Sequence, residues 1–245
     1  MSARRVFRLL LITTGMSIMF WIILGFQSID VPADTLKTTS AVKIEDTADA
    51  IRFQPRANKR STGIIFLPGG MVDPLAYTPL LKNIAAAGHP AQLLRLPLRC
   101  ACIDSQINTL FAAVSAAVKA SPETRWYLAG HSRGAMLATR YARESDTKLA
   151  GLILIATTHP RDFDLSASPL KITKIFGTHD GIADSDDIKA NAKLLPPASN
   201  MVEIPGANHV QFGYYRHQLL DGIPGITREE QQKVLLRAVR RALAN

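Results

Sequence analysis

The run Gly130-His131-Ser132-Arg133-Gly134 lies between two segments of different periodicity, and no other feature limits the possible folds as strongly. Before it, Arg125-Trp126-Tyr127-Leu128-Ala129 reads as a short buried strand. After it, Ala135-Met136-Leu137-Ala138-Thr139-Arg140-Tyr141-Ala142 follows a helical pattern. A strand that passes into a helix through G-x-S-x-G must turn sharply, with the serine at the apex and its hydroxyl above the sheet. The flanking glycines let the helix start approach the strand end without a Cβ clash. The segment therefore predicts a strand–elbow–helix unit, with Ser132 as a candidate nucleophile.

The rest of the chain alternates strands and helices. Gly63-Ile64-Ile65-Phe66-Leu67 and Gly151-Leu152-Ile153-Leu154-Ile155-Ala156 are almost wholly apolar, as central parallel strands covered on both faces are. Ile51-Arg52-Phe53 reads as an edge strand, 91–96 as a further strand, and 170–176 and 201–204 as two more. Helices are predicted over 76–87, with Gly88 as C-cap, over the Ala-rich 107–120, and over 228–244. In the last, Val234, Leu235, Leu236, Val239 and Leu243 form an apolar stripe that should pack on the sheet. This pattern predicts an α/β doubly wound, mostly parallel sheet flanked by helices. Only residues 158–169 separate two of its strands at the usual position of a cap, which predicts no large lid domain.

Two strands end in chemistry. Residues 170–176 run into Gly177-Thr178-His179-Asp180-Gly181, and 201–204 run into Pro205-Gly206-Ala207-Asn208-His209. Loops gather at one edge of a parallel sheet, so Asp180 and His209 should lie near Ser132. The chain order Ser132, Asp180, His209 is that of α/β-hydrolases rather than of chymotrypsin or subtilisin. In those roles His209 takes the serine proton, and Asp180 fixes the imidazole tautomer. Acyl transfer also needs an oxyanion hole. One donor is expected from the Arg133 N–H and the other from Gly70, with Met71 as the alternative, in the loop Pro68-Gly69-Gly70-Met71. Asp184, Asp186, Asp187 and Ser185 suit helix capping better than catalysis. His179 is expected to be exposed and His131 to pack within the elbow, and His89, His159 and His217 have no matched partner. Asp73 reads as a helix cap or a site residue, and Gln211 and Phe212 as supports of the His209 loop or pocket lining.

Several of these blocks occur together in a known group. Pro68-Gly69-Gly70-Met71-Val72-Asp73-Pro74, Tyr77, the elbow, Gly177-Thr178-His179-Asp180-Gly181 and Asn208-His209-Val210-Gln211-Phe212-Gly213-Tyr214-Tyr215 resemble the α/β-hydrolase fold-5 family, which is dienelactone-hydrolase-like in outline. The resemblance runs from about 51 to 232 and implies a serine hydrolase with Ser132, Asp180 and His209 as triad, acting on a small-molecule acyl substrate without metal or organic cofactor. It says little about the substrate. Arg133 departs from the uncharged residue expected after the serine, and its guanidinium at the site mouth could bias substrate choice. An acyltransferase on the same triad, or a binding module that kept the fold, are the competing readings.

The 245 residues suit one domain plus an extension, divided as 1–26, a linker over 27–48 and a catalytic domain over 49–245. Residues 9–26 carry no charge and follow Arg4, Arg5 and Arg8; as a helix they span roughly 27 Å, close to a bilayer core. This predicts an uncleaved membrane anchor, with its N-terminus in the cytoplasm and the catalytic domain outside. Cleavage after Val31-Pro32-Ala33, releasing a secreted or periplasmic protein, is the alternative. The net charge of +9 fits a solvated basic surface or an anionic membrane. Nucleic acid is not an expected partner, because no basic run is interleaved with aromatics. Cys100 and Cys102 are expected as buried free thiols, since an extended i, i+2 pair sits too far apart to bridge.

Overall fold

The computed structural model describes residues 3–244. Eight strands form one sheet: β1 (Val42–Asp46), β2 (Ala50–Pro55), β3 (Thr62–Leu67), β4 (Ala91–Leu94), β5 (Arg125–His131), β6 (Gly151–Ile155), β7 (Lys171–Gly177) and β8 (Asn200–Ile204). Their order is β1-β2-β4-β3-β5-β6-β7-β8. The pairs from β4 to β8 are parallel, and β2 joins both neighbours antiparallel. Helices are α1 (Ala3–Gly25), α2 (Thr78–Ala86), α3 (Asp104–Lys119), α4 (Arg133–Glu144), α5 (Ser185–Ala190) and α6 (Arg228–Ala244).

The two-residue period of the central strands divides the core. Ile64 and Phe66 of β3, with Ile153 and Ile155 of β6, pack beside Leu80 and Ile84 of α2 and Leu235 and Val239 of α6. Ile65 and Leu67, with Leu152 and Leu154, point the other way, against Leu110 and Val114 of α3 and Leu137 and Tyr141 of α4. Both faces of the strands are thus covered, which is why these runs read as continuous apolar sequence rather than as an alternation.

Two expectations need correction. Val42–Asp46, inside the stretch read as linker, form β1 and pair with β2, so β2 is not the edge strand. Only Val42 of that strand is buried, and so small an apolar signal leaves no visible period. Cys100 and Cys102 form a disulfide rather than remaining free. The segment is not extended: Leu98, Arg99 and Ala101 adopt φ of 49°, 55° and 47°, and the resulting coil brings the two Cα atoms to 5.1 Å. Asp184, one of the residues expected to cap, is the N-cap of α5 and accepts from the Asp186 and Asp187 amides.

Residues between β6 and β7 form neither helix nor strand, as expected of a chain without a helical cap. α1 is long and apolar enough to cross a membrane, with a mean hydropathy of 1.9 over Arg4–Gly25 and none of its most apolar window buried; a signal sequence has the same character.

Candidate active site

Ser132 stands between β5 and α4 with φ 51° and ψ −116°, in the left-handed region that an L-residue enters only when its surroundings force it there. Its amide donates to Ile155 O at 2.9 Å, which ties the turn to the end of β6. The glycines on either side are required by contact. A Cβ on Gly130 would meet the backbone of Gly134, and one on Gly134 would meet the carbonyl of Leu67. The helix start is therefore pressed onto both the strand that precedes it and the end of β3.

Asp180 follows β7 and His209 follows β8, at the same edge of the sheet as Ser132. Their side chains meet: His209 Nδ1 lies 2.8 Å from Asp180 Oδ2 and 3.1 Å from Oδ1. Asp180 is 5% exposed and His209 is fully buried. The Asp180 carboxylate also accepts from the amides of Ile182 and Ala183, so its orientation is set on both sides. His209 Nε2 is buried and has no hydrogen-bond partner among the described residues. His209 lines a cavity of about 260 Å³ together with Ser132, Arg133, Ala156, Thr158, His159 and Ile182. A larger cavity of about 670 Å³ lies between β2, β4 and α3 and holds none of the predicted site residues.

The loop after β3 distributes its amides unevenly. Pro68 has none to give. Gly69 N–H donates to Tyr77 Oη, Met71 N–H to Arg99 O at 2.6 Å, Val72 N–H to Gly69 O and Asp73 N–H to Phe26 O. Gly70 is the remaining amide of the loop, and a Cβ there would lie 3.3 Å from Cβ of Arg133. Gly70 and Arg133 are thus neighbours across the elbow, whereas Met71, the alternative named from sequence, has its amide engaged elsewhere. Arg133 lines the same cavity as Ser132 and His209, and its guanidinium is tied down at the mouth. It grips the disulfide loop, donating to Ala101 O at 2.7 Å and to Cys100 O.

Other predicted residues take supporting places. Asp73 caps the short 3-10 turn at Pro74–Tyr77 and accepts from Ser28. Tyr77 Oη accepts from Gly69 N–H and shares a 2.8 Å hydrogen bond with His131 Nδ1, so it links the loop after β3 to the elbow. Burial raises the Tyr77 phenol and pushes the His131 imidazole well below its ordinary value, the neighbouring His209 adding to the second effect. Both are therefore neutral at physiological pH. Phe212 packs on His131, and the Gln211 backbone is tied to Asn208 and Gln232. His159 lines the cavity, and burial lowers it to about 4.

Sequence reasoning missed Asp221, Gln231 and Lys174. Asp221 accepts from the amides of His209, Val210 and Gly222 and so holds the histidine loop. Gln231 is buried and exchanges two hydrogen bonds with the Asn208 backbone. Lys174, fully buried on β7, donates to His159 O at 2.8 Å, and burial lowers its ammonium to about 8. No signal in the sequence marks Asp221, which lies in a loop without periodicity. Lys174 is visible as a charge inside an apolar run.

A profile of the alpha/beta hydrolase family matches residues 63–233. The chain belongs to the alpha/beta hydrolase family. No curated protein matches it. Among solved structures it is similar to an alpha-beta serine hydrolase homologue from Coxiella burnetii, at 20% identity and a TM-score of 0.57, over 82% of this chain and 97% of that one. A lidless α/β serine hydrolase from Xanthomonas campestris aligns at 19% identity and a TM-score of 0.55, over 85% and 97%. A proposed dienelactone hydrolase from Klebsiella pneumoniae aligns at 15% identity and a TM-score of 0.58, over 84% and 98%. These likenesses concern the fold.

Proposed function

We propose that the protein is a membrane-tethered serine hydrolase that cleaves an ester or related acyl bond outside the cytoplasm. The observation that carries this reading is that Ser132, on its elbow, and His209 line one cavity, while Asp180 holds Nδ1 of the same imidazole and its Nε2 has no partner among the described residues. Ser132 Oγ attacks the acyl carbon while His209 Nε2 takes its proton, and the Gly70 and Arg133 amides stabilise the oxyanion. The bond to the leaving alcohol breaks as His209 returns the proton to it. Water then attacks the acyl-enzyme with His209 again as base, the carboxylic acid leaves, and Ser132 recovers its hydroxyl. Asp180 holds the imidazole tautomer throughout and stabilises the imidazolium.

Two observations favour the outside of the membrane. α1 has the length and apolarity of an anchor, and Arg4, Arg5 and Arg8 precede its apolar run. The Cys100–Cys102 disulfide suits an oxidising compartment. Turnover of a panel of esters, thioesters, amides and lactones by the full-length protein, beside Ser132→Ala and His209→Ala, tests the reading. The wild type is expected to hydrolyse at least one ester, with both variants reduced by a factor on the order of 10³ or more. Undiminished turnover by Ser132→Ala would overturn the assignment.

A further inference from the structure

Among the described residues outside α1, the large apolar side chains that the fold leaves exposed are Leu36, Met71, Leu98, Ile103, Leu219, Leu220 and Ile223. All but Leu36 belong to the loops that follow β3, β4 and β8, at the sheet edge that carries Ser132 and His209. Leu98, Leu220 and Ile223 are 80%, 79% and 87% exposed. Leu98 and Leu220 also sit at φ 49° and 72°, a conformation unfavourable for leucine that no burial in this fold rewards. Apolar side chains left exposed in several loops of one sheet edge mark an interaction surface.

The occupant is indicated by α1. No free linker separates this helix from those loops. The carbonyl of Gly25, its last residue, accepts from the amides of Arg216 and His217, in the same loop as Leu219, Leu220 and Ile223. Phe26 O accepts from Asp73 N–H, Ile29 N–H donates to Tyr214 O, and Ser28 forms a bridge with Tyr215. One turn inside the helix, the Trp21 ring lies 4.0 Å from the His217 ring. Twenty-three helical residues rise roughly 34 Å, enough to cross a hydrocarbon core of about 30 Å. When α1 spans a bilayer, Trp21 lies at the interface, as membrane tryptophans do, and the loops bonded to residues 25–29 are held at headgroup level. Arg99 and Arg216, both exposed on those loops, are then within reach of lipid phosphates.

We infer that the site mouth is seated on the outer leaflet of the membrane that α1 crosses, with Met71, Leu98, Ile103, Leu219, Leu220 and Ile223 as the embedded rim. The substrate is accordingly an amphiphile resident in that leaflet, whose tail stays in the bilayer while a compact acyl group enters the cavity. This assignment rests on the acyl-bond chemistry proposed above and deepens it by naming the substrate class.

The test uses the full chain in nanodiscs of phosphatidylcholine and phosphatidylglycerol. An environment-sensitive fluorophore is attached at Leu220→Cys and, as control, at Lys119→Cys, which lies at the far end of α3. Lipids carrying a nitroxide in the acyl chain should quench the first and spare the second. Equal quenching at the two sites overturns the seating of the mouth, whatever the enzyme hydrolyses. Activity is read on hexadecyl acetate dissolved in the nanodisc and on p-nitrophenyl acetate in water. The triple variant Leu98→Ser, Leu220→Ser, Ile223→Ser should lose about tenfold or more on the embedded ester and stay within about twofold on the soluble one. Equal loss on both esters overturns the substrate class. Quenching at position 220 in a wild type that cleaves neither ester would leave the seating supported and overturn the substrate class, while turnover of the wider panel above decides the acyl-bond chemistry separately.

Discussion

Asp221 holds the histidine loop, and removing its charge should weaken both the fold and the chemistry. Its Oδ1 accepts from His209 N–H at 3.0 Å and from Gly222 N–H at 2.8 Å, and its Oδ2 from Val210 N–H at 2.9 Å. In Asp221→Asn one oxygen becomes an NH2 group facing an amide N–H. At least one charge-assisted bond is lost, and a donor is left opposing a donor. At a half-buried position this costs about 1–2 kcal/mol, whereas Asp221→Ala loses every bond and costs about 3 kcal/mol. For a chain of this length the Asn variant should melt about 3–6 °C lower. The same change loosens the backbone that positions the His209 ring, and displacements on the order of 1 Å can cost 10²-fold. We expect kcat/KM to fall about 10–100-fold in Asp221→Asn, mostly in kcat. Calorimetry and steady-state hydrolysis of p-nitrophenyl acetate by the same preparation check both parts. A variant that melts lower yet keeps its full kcat would refute the positioning argument, and one unchanged in both would refute the clamp itself.

Three further outcomes are expected. Gly134→Ala should destabilise by at least about 3 kcal/mol or fail to accumulate folded, because the new Cβ would overlap Leu67 O; denaturant titration gives the value. Lys174 binds its proton less tightly when folded, at about 8 against an ordinary 10.5, so the unfolded chain holds more protons between those values and stability gains with rising pH. Between pH 8 and pH 10 that contribution is about 2 kcal/mol, seen as the difference between wild-type and Lys174→Met stability curves; parallel curves would show that the ammonium is not desolvated as described. With a 260 Å³ cavity and only loop between β6 and β7, kcat/KM for dissolved esters should peak at short acyl chains, and a steady rise through long chains would refute that expectation.

The candidate site was more legible in the sequence than the residues packed around it. Ser132 could be placed because strand and helix periods meet at the glycines around it, and those glycines are confined by Leu67 and by one another. Asp180 and His209 could be placed because each follows an apolar run that had to be a strand, and strand ends of a parallel sheet converge. The gaps have physical reasons. β1 buries one side chain, so it left no pattern. The disulfide depends on three left-handed residues, Leu98, Arg99 and Ala101, none of them the glycine that announces such a turn. The engagement of the Met71 amide and the turning of the Arg133 side chain both depend on that same loop, through Arg99 O, Cys100 O and Ala101 O. The 27–48 segment looked like a tether because its contacts, Ser28 with Asp73 and Ile29 with Tyr214, run between backbone and polar atoms distant in sequence.

The central claim is that Ser132 is a nucleophile activated by His209 and Asp180. The most direct measurement is reaction of the full-length protein with a fluorophosphonate, followed by peptide mapping by mass spectrometry. The account predicts a single stoichiometric adduct on Ser132, absent in Ser132→Ala and slowed by a factor on the order of 10³ or more in His209→Ala. A folded wild type that takes up no label, or an adduct on any other serine, would contradict it.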